Sequence, residues 1–116
     1  MIDLGELLTL YGIETLVRLT NDDPNAPIDP SSINYDLLNE LKEKYETIYG
    51  KVLEQKPALR FIVYRLIILE LHKRREDSGK QTMDLELKKE YLELKNELDN
   101  QKFIVVSFYE GGKYAP

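Results

Sequence analysis

The chain holds one histidine, His72, and no cysteine, so most routes to covalent or metal chemistry are closed from the start. Without cysteine there is neither a disulfide nor a thiolate ligand. A zinc site needs about three converging protein ligands, and one histidine among scattered carboxylates does not supply them. The 21 acidic residues make carboxylate pairs common by chance, so such pairs are no evidence of general acid–base work. Gly111 and Gly112 are adjacent, but no helix follows them to build a phosphate cradle. Asp22, Asp23 and Asp29 lie in the stretch NDDPNAPIDPSS, where prolines and Asx side chains make turns and caps. A calcium loop would place oxygen ligands at alternate positions around a bending glycine. We expect no enzymatic activity, no cofactor and no metal.

The remaining polar residues of interest are cations set in apolar sequence. From Ala58 to Leu71 every position is apolar except Arg60, Arg65 and Glu70. Successive charges five residues apart are rotated by about 140° on a helix, so they point three ways and form no wet stripe. Arginine in such a setting is costly unless paired. Arg60 and Arg65 therefore reach the surface, meet a carboxylate inside the chain, or pair across a subunit interface. Lys73, Arg74 and Arg75 close the same helix, where cations oppose the negative end of the helix dipole. Their other reading is a contact with DNA in a channel or with a partner, weighed against Glu76, Asp77 and a net charge of −5.

These residues must be positioned by helices. With 42% hydrophobic and 32% charged residues, the composition is that of a soluble globular domain rather than a disordered chain. The acidic balance argues against a protein whose main task is gripping phosphates. The N-terminal MIDLGELL reads as neither a secretion signal nor a membrane anchor. Asp3 followed by Glu6 reads as the cap of a short helix that Gly12 ends, and a second short helix follows over 13–19. A long amphipathic helix is expected from Asp29 or Ser31 to Glu54, with Gly50 tolerated inside it if something packs closely there. The central helix opens at Pro57, which suits a first turn, and runs to Asp77. Enclosing it on every side is a large demand on a short chain, so some of its cover is expected from other copies. A fourth main helix is expected over 83–100, with Leu87, Tyr91, Leu94 and Leu98 on its seam.

After residue 102 the composition changes. Phe103, Ile104, Val105, Val106, Phe108 and Tyr109 are β-branched or aromatic, which reads as a strand. No second strand signal is present to pair with it, so it asks for another chain. The expected architecture is thus all-α: a helical bundle over 1–102, with two short N-terminal helices and three longer ones, followed by an extended arm or strand over 103–116.

The order of several short motifs resembles the phage Mu-like head–tail connector proteins. They are DL-x(6)-YG at Asp3, Leu4, Tyr11 and Gly12, the L-x-x-L-T-[ND]-D phrase ending at Thr20 to Asp22, and I-D-x(3)-I-N at Ile28, Asp29, Ile33 and Asn34. Pro57, Leu59, Arg60, Tyr64 and Arg65 continue it, as do Tyr91, Leu94 and Leu98. This resemblance implies a structural virion protein without enzymatic activity. It would be an adaptor that assembles as a ring, commonly of twelve copies, beneath the portal at the neck of the particle. Such a ring extends the DNA channel, lets DNA pass without specific binding, and docks a stopper or tail protein, and the arm would reach the portal. The competing reading is a small helical regulatory module of the antitoxin or transcription cofactor type, acting as a dimer through the same arm.

Overall fold

The computed structural model describes residues 1–79 and 82–111, and they form an all-α bundle. Helix α1 (Leu4–Tyr11) is capped by Asp3, whose Oδ1 accepts the Gly5 and Glu6 N–H groups at 2.8 and 3.3 Å. Glu6 does not reach back to close a capping box. The Asp3 N–H instead donates to the Tyr64 hydroxyl at 3.1 Å, which frees the Glu6 carboxylate for another partner. Gly12 then serves two helices. Its N–H donates to the Leu8 carbonyl and its own carbonyl accepts from Leu16, at a φ of 88° that side chains rarely tolerate. This junction turns the chain sharply into α2 (Ile13–Thr20).

The next segment is held by side-chain oxygens, in keeping with the turn chemistry of its sequence. Asn21 and Asp23 accept the N–H two residues on, and Asp29 accepts that of Ser31 at 2.7 Å. The buried Thr20 hydroxyl donates to Leu16 and accepts from the Asn34 N–H. The long helix α3 (Tyr35–Gln55) starts later than Asp29 or Ser31. Asp29 caps only a single 3-10 turn over Pro30–Ser32, the backbone is extended at Ile33, and Asn34 is the true cap, accepting from Leu37 at 3.1 Å. No backbone approach requires Gly50, since a Cβ there would meet only the Met1 side chain at 3.9 Å.

A 3-10 turn at Pro57–Leu59 leads into α4 (Arg60–Asp77). Helix α4 packs against α2, α3 and α5. Its Val63, Tyr64, Leu66, Ile67, Ile68, Leu69 and Leu71 are all buried, while Phe61 in its first turn stays 44% exposed, so one chain covers most of the central helix. Each such side chain contributes about 1.5–3 kcal/mol relative to exposure. Helix α5 (Leu85–Gly111) runs back along α4 and lies parallel to α3. Its start is held by Asp84, whose side chain accepts from Glu86 and whose carbonyl accepts from Lys88.

The expected strand is not there. Helix α5 continues past residue 100 through Phe103, Ile104, Val105, Val106, Phe108 and Tyr109 to Gly111, and the boundary at 102/103 falls inside it. Extending an established helix adds one hydrogen bond per residue fixed, and β-branched residues cost only a few tenths of a kcal/mol each, roughly, against that gain. A lone strand gains no ladder at all. Residues 112–116 of the expected arm, and the side-chain surroundings of Val105, Val106, Phe108 and Tyr109, lie outside the described residues.

Candidate functional site

The three charges on α4 point three ways, as their spacing requires, and each meets a different helix. Arg60 Nε donates to Glu6 Oε1 of α1 at 2.7 Å, and the Tyr64 hydroxyl donates to the same oxygen at 2.6 Å. Arg65 grips Glu90 of α5 with two hydrogen bonds, at 2.6 and 2.8 Å, the fork geometry in which guanidinium binds carboxylate best. Glu70 accepts from the Tyr45 hydroxyl of α3 at 2.6 Å and pairs with Lys44. The Arg60 guanidinium holds the Glu6 carboxyl below its usual range, with Tyr64 adding to the effect, and Arg65 does the same to Glu90. Burial, reinforced by the hydrogen bond to Glu70, drives the Tyr45 hydroxyl far upward. Of the alternatives open for Arg60 and Arg65, the internal carboxylate accounts for both, and neither charge needs a neighbouring subunit.

The basic end of α4 is similarly engaged. Lys73 lies 5.6 Å from the centre of the Tyr91 ring, Arg74 is 3.6 Å from Asp22, and Arg75 donates to the Arg18 carbonyl at 2.7 Å. Beside them a cleft of about 590 Å³ opens between α2, the 21–28 loop and the end of α4, with Val17, Arg18, Asp23, Ile28, His72 and Arg75 in its wall. The Nδ1 of His72 is buried without a hydrogen-bond partner. No carboxylate orients the ring, and burial, followed by the nearby Arg65 and Arg75 charges, lowers its pKa from the ordinary 6.5. Such a group is poorly placed to take up a proton in catalysis. Among the described residues, no group of three or more His, Asp or Glu is placed to hold a metal ion, and no helix is long and apolar enough to cross a membrane.

These groups are expected to give the fold a two-step acid response. The half-buried His72, its pKa lowered, contributes stability that is complete above pH 6.5 and is lost as pH falls below it, because the unfolded chain then binds the extra proton. The Glu6 and Glu90 carboxylates add a second step. Their contribution is complete above about pH 4.5 and is lost as pH falls through their depressed values. Thermal melts across pH 3–8 are expected to show both steps, and His72→Gln should abolish the upper one while leaving the lower.

The last described contacts that α5 makes with the bundle are Asp99, which accepts the Tyr49 hydroxyl, Gln101, which accepts from Lys56 at 2.6 Å, and Lys102 over the Tyr49 ring. Immediately beyond them Phe103 is 72% exposed and Ile104 52%. This exposure begins at the point where the sequence of the helix becomes apolar.

No family model, curated protein or solved structure matches the chain. The functional reading therefore rests on the geometry and on the motif resemblance. Sequence reasoning missed the acceptors Glu6 and Glu90 and the hydroxyls of Tyr45, Tyr49 and Tyr64, all of which tie helices together. Its signal for the apolar end of α5 was sound as to composition and wrong as to conformation.

Proposed function

We propose that this chain is a non-catalytic assembly subunit that docks to a larger partner through the projecting end of α5. The observation that carries this is the exposure of Phe103 and Ile104 just past the last described bundle contacts of α5. An apolar helix end held away from its own core gains free energy by entering a groove on another protein. With the motif order described above, the best-supported identity is a head–tail connector adaptor. It would sit as a ring under the portal in the virion neck, extend the DNA channel and present a face to the stopper or tail protein. The mild negative charge suits a wall past which DNA slides without being held.

A chain ending at Lys102 tests this. It is expected to keep its helical content and cooperative melting, since every described bundle contact is made before that point, and to fail to join particles. Normal incorporation of the truncated chain would sink the docking reading. A stable dimer indifferent to portal protein would favour the regulatory module instead.

A further inference from the structure

The cleft beside the basic end of α4 contains the one α4 arginine whose charge is unanswered. Arg60, Arg65 and Arg74 each meet a carboxylate, those of Glu6, Glu90 and Asp22. Among the described residues no carboxylate pairs with Arg75. Its guanidinium is held in place all the same, because it donates to the Arg18 carbonyl at 2.7 Å, one of the last carbonyls of α2, which lack a partner inside their own helix. A guanidinium carries five donors in a fixed fork, so four remain. The only carboxylate in the wall is that of Asp23, which accepts the Asn25 N–H, and Arg18 and Arg75 outnumber it. Val17 and Leu19 line the same cleft and are buried, and Ile28 is 50% exposed. A pinned cation thus stands next to an apolar surface.

The surroundings select the kind of anion. A DNA duplex brings about one charge per 1.7 Å, and the exposed Glu14, Asp22, Asp23 and Asp29, on α2 and the loop that form the walls, would repel such a row. A single carboxylate escapes this, since the Arg75 fork can grip it directly. The N–H and carbonyl of Ile28 make no hydrogen bond among the described residues. A residue that offers both groups is what an extended segment pairs with.

We propose that this cleft is a docking site for an acidic peptide segment of a partner protein, in which an aspartate or glutamate sits beside an aliphatic residue. The carboxylate bonds to Arg75, the aliphatic side chain rests against Val17 and Ile28, and the main chain pairs with Ile28. This site is independent of the end of α5. The last described contacts of α5 lie by Lys56, just before α4, and Arg75 stands about 22 Å along α4 from Arg60.

Selection of random short peptides on the full-length chain is expected to recover sequences with Asp or Glu next to Leu, Ile or Val. Changing the acid of a recovered peptide to its amide should weaken binding to the wild type about tenfold or more. The same change should matter about twofold or less for Arg75→Gln, whose amide can still donate to the Arg18 carbonyl. Ile28→Ser, on the exposed loop, should weaken binding and leave the preference for the acid intact. Amide shifts on peptide addition should cluster at residues 17–28 and 72–75. Recovery of no binder, or of peptides without a preference for acid, overturns the proposal. So does undiminished binding to Arg75→Gln, or a shift pattern centred elsewhere. Hexanoate that displaces the peptide at similar concentrations overturns the peptide assignment and makes the cleft a site for a free carboxylate.

Discussion

Leu66→Ala is expected to destabilise the fold by about 2–5 kcal/mol, a large share of the roughly 5–15 kcal/mol that holds a domain of this size together. The magnitude follows from where α4 lies. Leu66 is fully buried, as are Val63, Tyr64 and Ile67 beside it, and a central helix braced on several sides cannot shift to fill the space a leucine leaves. Chemical denaturation should show a lower midpoint with little change in the slope, and the melting temperature should fall on the order of 10 °C or more. Leu92→Ala, on the open side of α5, should change the isolated chain's stability by no more than about 0.5 kcal/mol. A small effect for Leu66→Ala would mean that the enclosure of α4 is looser than its burial indicates, and that copies of the chain do share in covering it.

How much of this was legible in the sequence varies from residue to residue, with a physical reason each time. The apolar run of α4 and its three charges at intervals of five could be read directly, because helical phase follows from spacing alone. Gly12 and the Asp3 cap were legible for the same reason, being local devices whose partners lie within a few residues. The start of α3 was not, because Asp29, Ser31 and Asn34 are all competent caps and only the extended backbone at Ile33 chooses among them. The end of α5 was misread because β-branched and aromatic residues favour strands only when a neighbouring strand exists to pair with. With none in reach, the helix already under way keeps going. The partners of Arg60 and Arg65 were beyond sequence reasoning altogether. Glu6 and Glu90 are selected by packing, at separations of 54 and 25 residues, from 21 acidic candidates.

That pairing reverses what charge substitution on α4 should do. Had Arg65 faced a neighbouring subunit, Arg65→Glu would spoil assembly and spare the fold. Because its fork grips Glu90, the substitution sets two carboxylates together between α4 and α5. The expected loss of stability is about 1–3 kcal/mol. It is held to the lower part of what a buried pair would lose because the two side chains are 33% and 35% exposed and partly screened by water. Glu90→Arg should cost a similar amount. The double exchange, Arg65→Glu with Glu90→Arg, should recover most of the loss, giving a coupling that a double-mutant cycle reads directly. The fold's acid response offers an independent check, since the lower of its two steps should shrink in Arg65→Glu, where the Glu90 carboxyl no longer has a cation holding its pKa down. Unchanged melting in either single variant, together with failed assembly, would place the partner of Arg65 on another copy of the chain.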